Sequence, residues 1–249
     1  MGKNIDIVIN SMRYPESEND KNLIEKFSLK IDEGDFISIL GPSGSGKTTL
    51  LRIIANLEKR YSGSIKLNNK IIKNPSKSVQ VVFQNNLLIP WKTVLGNILF
   101  PLNNNNTKKE VYKWLNHVGL TGKENRWPKT LSGGEESRVA FARVFVEKPE
   151  ILLLDEPFRN VDLEIRYQLQ KVLQNFLIEN KITTILVSHS IEDAVMLSDK
   201  IYLFKESPLN NAIVYEVPFS KPRDLSNPKI QKMISTIVKE VINSKTCDD

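Results

Sequence analysis

Four short apolar runs punctuate the chain, and each ends in residues of a different character. Phe36-Ile37-Ser38-Ile39-Leu40 runs into a glycine-rich loop, and Val79-Gln80-Val81-Val82-Phe83 stops at Gln84. Ile151–Leu154 stops at Asp155-Glu156, and Thr184-Ile185-Leu186-Val187 stops at Ser188-His189. Apolar runs without polar alternation predict strands of a parallel sheet buried on both faces. Ligands of such sheets bind beyond the carboxyl ends of the strands, where all four polar endings would meet.

Helical periodicity separates these runs. Leu50, Ile53, Ile54 and Leu57 fall at i, i+3, i+4 and i+7, and Ile165, Leu169, Val172, Leu173 and Phe176 make a second stripe of helical spacing; both predict core-facing helix sides. The segments Ile5–Ile9, Leu23–Ile31 and Ser64–Ile72 are strand-like but interrupted by polar and glycine residues, and predict a small antiparallel sheet. From about Thr93 to Glu147 the pattern turns helical, with Asn103–Asn106 a solvated connection. Ile201–Lys205 and Ala212–Val217 flank Pro208-Leu209-Asn210 and predict a hairpin. Ile230, Met233, Ile234, Ile237, Val238, Val241 and Ile242 stripe a terminal helix expected to pack on its own domain. The fold class is α/β: a mainly parallel core over about 1–92 and 148–220 with an antiparallel β part, a helical subdomain over about 93–147, and a C-terminal helical extension over about 221–249.

Composition narrows the class. The 249 residues, 40% hydrophobic, suffice for one large domain with an attached subdomain. No stretch approaches the roughly 18 consecutive apolar residues of a membrane span, and MGKNIDIVIN has neither the apolar core nor the cleavage site of a secretory signal. The single cysteine, Cys247, has no partner for an internal disulfide, as suits a reducing compartment. The net charge of +6, from 35 Lys+Arg against 29 Asp+Glu, is spread rather than bunched, so it is read as a solvated surface rather than a nucleic-acid face.

The chemistry lies in the endings. Gly41-Pro42-Ser43-Gly44-Ser45-Gly46-Lys47-Thr48 matches G-x-x-x-x-G-K-[ST] between a predicted strand and a predicted helix, which is the context a phosphate-binding P-loop requires. Glycines allow backbone N–H groups to turn inward, and the helix end adds about half a positive charge. Lys47 is expected to be solvent-facing and to reach the β- and γ-phosphates, and the Thr48 hydroxyl to ligate Mg²⁺. Thr49 completes the nucleotide-contacting set. Ile151–Leu154 followed by Asp155 supplies the apolar strand and metal-facing carboxylate of a Walker B element. Glu156 is placed as general base on an attacking water.

Leu131-Ser132-Gly133-Gly134-Glu135 resembles the L-S-G-G-Q signature of ATP-binding cassette (ABC) ATPases, predicting a helix from about Glu135 to Glu147 capped by Ser132. The resemblance covers nearly the whole chain and implies several roles. Tyr14, 27 residues before Gly41, fits the aromatic that stacks on adenine, or else a core strand residue. Gln84 fits the glutamine that touches Mg²⁺ and senses a membrane partner, Asp162 the D-loop aspartate, and His189 the switch histidine at the γ-phosphate. The 82 residues between Thr48 and Leu131 leave room for one helical subdomain but not for the long coiled coil of the chromosome-maintenance branch. One P-loop and one signature argue against fused pairs. Gln84–Val94, with Leu87-Leu88-Ile89-Pro90-Trp91-Lys92-Thr93-Val94, is similar to the corresponding loop of nitrate, sulfonate and taurine importers. So is Pro222-Arg223-Asp224 followed by a short terminal helix.

The family resemblance therefore implies an ATP- and Mg²⁺-dependent ATPase that powers a transporter from the cytoplasmic face of a membrane, peripherally attached. A second copy would complete each nucleotide site with Ser132, Gly133, Gly134 and Glu135. A permease subunit would dock near Gln84–Val94, where Trp91 and Leu87–Pro90 are expected to be partly exposed, and an extracytoplasmic solute-binding protein would act indirectly. The alternative is a soluble ATPase of the same type acting on nucleic acid or a protein assembly. Two departures stand out: Glu135 replaces the signature Gln, and Arg159-Asn160-Val161 replaces Gly-Ala-Leu before Asp162. A carboxylate at the signature would repel the partner's nucleotide unless it is turned away or screened.

Overall fold

The structure is a computed structural model that describes residues 3–14, 22–85, 87–102, 108–159, 161–205 and 208–245, with side chains described to residue 242. Asn86, Asn103–Asn106, Asn160 and Cys247 lie outside the described residues.

The chain begins with β1 (Ile5–Met12) and β2 (Ile24–Ile31), which pair antiparallel. Alternation sets their faces: Ile5, Ile7 and Ile9 are buried while Val8 is exposed, and they oppose Ile31, Leu29 and Phe27. Next come β3 (Phe36–Leu40) and α1 (Lys47–Ile54). β4 (Ser62–Leu67) and β5 (Lys70–Ile71) then complete a four-stranded sheet in the order β2-β1-β4-β5.

β6 (Val79–Val82) leads into three helices, α2 (Val94–Leu99), α3 (Lys108–His117) and α4 (Gly133–Glu147), with a 3₁₀ turn at Pro128–Thr130. The chain returns through β7 (Ile151–Asp155), α5 (Leu163–Asn180), β8 (Thr183–Val187), α6 (Ile191–Leu197), β9 (Lys200–Phe204) and β10 (Ala212–Glu216). It closes with α7 (Pro228–Lys245).

The second sheet runs β10-β9-β3-β8-β7-β6, parallel except for the antiparallel β9–β10 hairpin. Its apolar strands feed two cores. Ile37, Ile39, Ile151, Leu153, Ile185 and Val187 face the antiparallel sheet and α1. Leu40, Leu152, Leu154, Leu186, Ile201 and Leu203 face the opposite way, into a core shared with α4, α5 and α6. β3, β7 and β8 are buried on both sides, as their mainly apolar sequences require.

Four expectations are corrected. β6 is an edge strand, so Val79, Gln80 and Val81 are only half-buried. α1 ends at Ile54, because Asn56 adopts a left-handed φ of 60° that no helix continues; Leu57 is 54% exposed and leaves the core stripe. α4 starts two residues earlier than expected, at Gly133. The terminal helix is not short: α7 has 18 residues, with Ile230 and Ile237 buried in the main core. Arg223 anchors its approach, donating to the carbonyls of Phe219, Val195, Ser198 and Val217 at 2.6–3.2 Å.

Candidate functional site

Register brings the polar endings together. Ile39 pairs with Val187, Asp155 with Val187, and Val82 with Leu154. The residues after β3, β6, β7 and β8 therefore emerge at one edge of the sheet: the loop Gly41–Gly46, Gln84, Glu156, and Ser188-His189.

The loop has the shape its glycines predict. Gly46 caps α1 at φ 99°, a left-handed conformation, and a Cβ there would lie 2.9 Å from Leu23 Cγ. No side chain caps α1, and its first turn holds no acidic residue. Its N–H groups are thus left to an external anion. Lys47 departs from expectation: it is 7% exposed rather than solvent-facing. Its ammonium folds over the loop, donating to Gly41 O at 2.9 Å and Pro42 O at 2.5 Å. Burial lowers its pKa, and the nearby Glu156 and Asp155 carboxylates oppose that shift. Two carbonyls hold the ammonium where an anion entering the loop would meet it.

Thr48 donates to Asp155 Oδ1 at 3.1 Å. Burial pushes the Asp155 carboxyl up, and the Thr48 hydrogen bond opposes it. A hydroxyl and a carboxylate side by side are hard oxygen donors of the kind Mg²⁺ takes together with substrate phosphates. Among the described residues no group of three or more His, Cys, Asp or Glu could hold a metal by itself.

Glu156 follows at φ 47°, its N–H donated to Val187 O at 2.9 Å. A non-glycine residue in this region is uncommon and costs energy that the surroundings must hold in place. The turn aims Oε2 at His189, whose Nδ1 lies 2.9 Å away without hydrogen-bond alignment. Arg159 Nη1 stands 3.8 Å from the same oxygen. The His189 loop is braced from below: Ser190 N donates to Ser188 Oγ, and Arg166 donates to Ser190 Oγ at 2.8 Å while ion-paired with Asp193. Gly41, Pro42, Ser43 and His189 share the wall of a cavity of about 290 Å³. A larger hollow, about 790 Å³, lies at the opposite end of the sheet, beside Gly34, Phe36 and Lys221, away from this chemistry.

The remaining expected residues are more dispersed. Tyr14 lies 3.4 Å from Thr49 Oγ1, and the Arg60 guanidinium sits 5.0 Å above its ring. Gln84 is exposed, and Asp162 starts α5 without a side-chain cap. Ser132, Gly133 and Gly134 begin α4 in the helical layer, where Ser132 and Glu135 form a reciprocal capping box. Leu87 and Trp91 are 62% and 73% exposed, while Asn97 binds the backbone of Ile89, Lys92 and Thr93. Lys123, Arg60 and Arg166 belong to no motif in the sequence. Isolated basic residues carry no local signal until the fold supplies their partners.

Comparison with known proteins bears on the whole arrangement. The sequence profile described as ABC transporter matches residues 24–159. The chain belongs to the ABC transporter family. The aliphatic sulfonates import ATP-binding protein SsuB of Bacillus licheniformis is 36% identical over 246 residues, 97% of this chain and 96% of that protein. Its namesake in Bacillus subtilis is 35% identical over 238 residues, 95% and 93% of the two chains. Among solved structures, a dimeric post-hydrolysis state of the ATP-binding cassette MJ0796 bound to ADP and Pi superposes with a TM-score of 0.76. It is 27% identical and covers 87% of this chain and all of that one. As an ABC ATPase the chain binds and hydrolyses ATP. Among the described residues no helix is long and apolar enough to cross a membrane.

Proposed function

We propose that this ABC subunit powers an importer of small anionic solutes, with aliphatic sulfonates the leading class. It would work as a head-to-tail pair of identical chains on the cytoplasmic face of a membrane. The observation that carries the reading is the meeting of Lys47, Thr48–Asp155 and Glu156–His189 at one sheet edge. ATP's triphosphate enters Gly41–Gly46, held by loop amides, the end of α1 and Lys47, with Thr49 beside them and Tyr14 beneath the adenine. Thr48, Asp155 and Gln84 would hold Mg²⁺, which would neutralise negative charge on the triphosphate.

Glu156 accepts the proton of the attacking water, and His189 holds the γ-phosphate oxygens. Its left-handed backbone and the His189 contact fix the carboxylate against one side of that water's position, which is what a general base requires. Ser132, Gly133 and Gly134 of the second copy, together with its Asp162 region, close over the same triphosphate. Residues 93–147 form a helical unit that moves with the permease, while 1–92 and 148–220 form the nucleotide-holding unit and 221–249 an extension.

The permease docks on Leu87–Thr93, whose exposed Leu87 and Trp91 supply apolar contact. A solute-binding protein outside the membrane delivers the cargo to that permease, and no nucleic acid takes part. Support for the sulfonate class comes from the similarity to SsuB proteins along nearly the full chain and from the Leu87–Val94 stretch. Uptake of a labelled alkanesulfonate by cells deleted for this gene tests the reading. Wild type should restore uptake and Lys47→Ala should not. Uptake that is unaffected by the deletion removes the sulfonate assignment.

A further inference from the structure

The carboxylate at the signature raises a physical problem that the fold answers. Glu135 Oε2 accepts the Ser132 N–H at 2.7 Å, and Glu135 N donates to Ser132 Oγ at 3.2 Å. A full negative charge thus sits at the start of α4, where the helix end carries only about half a positive charge. Left alone, the carboxylate would reverse the sign of that terminus and repel a phosphate. Glu135 is only 9% exposed, so water screens it poorly.

Its other oxygen, Oε1, is ion-paired to Lys123 Nζ. The Lys123 and Ser132 hydrogen bonds hold the Glu135 carboxyl below the usual carboxylate range. Lys123 is fixed rather than free to wander. Lys123 N donates to Leu120 O, and Arg126 N donates to Lys123 O. The same loop accepts the first N–H groups of α2, from Val94 to Arg126 O and Leu95 to Glu124 O, each within 2.9 Å. Arg138 adds a weaker attraction to the Glu135 carboxylate, while its own hydrogen bonds go to the carbonyls of Gly119, Val118 and Gly134.

We infer that Lys123 is a positioning residue for ATP-driven closure. It neutralises Glu135 and holds it as the cap of α4, so that Ser132, Gly133 and Gly134 meet the partner's triphosphate as an electropositive turn. The inference rests on the paired-chain reading above. It explains how a carboxylate can occupy this position without defeating the site: the charge is turned into the cap and cancelled from the adjoining loop.

The test is self-association with ATP in a Glu156→Gln background, where hydrolysis does not reopen the pair. Sedimentation at low and high salt gives the dissociation constants, and thermal melting checks each fold. Lys123→Gln, which removes the cation paired with Glu135, should weaken the dimer by about tenfold or more at low salt, less at high salt. Adding Glu135→Gln removes the carboxylate charge and keeps an acceptor for the Ser132 N–H, so the double variant should return close to the parent. Glu135→Gln alone, leaving a net cation beside the phosphate, should bind as tightly as the parent or tighter. Equal dimerisation by Lys123→Gln and the parent overturns the inference, as does a double variant as weak as Lys123→Gln. A Glu156→Gln parent that stays monomeric with ATP overturns the paired-chain reading itself, and that outcome is recognised in the parent alone.

Discussion

Two helices of this chain begin with serine and glycine, and they begin in opposite ways. α1 starts from Gly46 at φ 99°, with no side-chain cap and a lysine in its first turn. α4 starts from Ser132 in an extended conformation, with a complete capping box and two acidic residues in its first turn. At α1 the terminal N–H groups are spared for an outside anion, and Lys47 is held by two carbonyls to meet it. At α4 two donors are already consumed by the cap, and the Glu135 charge is balanced by Lys123. The first terminus leaves its N–H groups open, as the proposed phosphate site requires. The second is capped within its own chain, which fits the proposal that it meets nucleotide only when another chain delivers it.

The contrast can be broken from the side of chemistry first. Glu156→Gln keeps the shape of the side chain but cannot accept a proton, so phosphate release should fall by about 10²–10⁴. ATP should still bind at α1, and the chain should run as a dimer in size-exclusion chromatography. Adding Ser132→Arg should abolish that dimer while leaving ATP bound to the monomer. A double variant that loses ATP binding as well would erase the difference between the two termini.

Lys47→Ala attacks the other terminus. Loss of a charged donor typically costs about 1.5–3 kcal/mol, so ATP affinity by equilibrium titration should fall about ten- to a hundredfold. Because Lys47 is buried over the loop, a small drop in melting temperature should accompany it, and a given ATP concentration should raise the melting point less than in the parent. Ser132→Ala should have a smaller effect of a different kind. Losing the cap costs about 1 kcal/mol of stability in the absence of nucleotide. The corresponding measurement at α1 has no counterpart, since no side chain caps it.

The smallest expected effect concerns acid. Arg60 holds Glu58 through side-chain and backbone hydrogen bonds, and the carboxyl titrates at about 2 instead of its ordinary 4.5. A depressed folded-state value means the stabilisation is complete above pH 4.5 and is lost as pH falls towards 2. Glu58→Gln should flatten that part of the melting-versus-pH curve. Since Arg60 also sits over Tyr14, the variant should weaken ATP binding slightly if the ring lies under adenine.

The sequence by itself determined the parallel core, because β3, β7 and β8 are apolar at every position but Ser38, the Thr183–Thr184 pair and the terminal Asp155, and such strands have to be covered on both faces. It also determined the P-loop, whose glycines, lysine and threonine are spaced by covalent geometry within eight residues. The capping of α4 by Ser132 was legible for the same reason: both partners lie within one helical turn. Only the tertiary structure decided what depends on distant neighbours. It made β6 an edge strand, ended α1 before Leu57, and folded Lys47 onto its own loop. It also set Arg223 against four carbonyls, and placed Lys123, twelve residues from Glu135, as its counter-charge. Periodicity and local spacing report which face of an element is apolar and which residues share a turn. A long cationic side chain can reach any acceptor within its length, and which acceptor is nearest is fixed only when the layers pack.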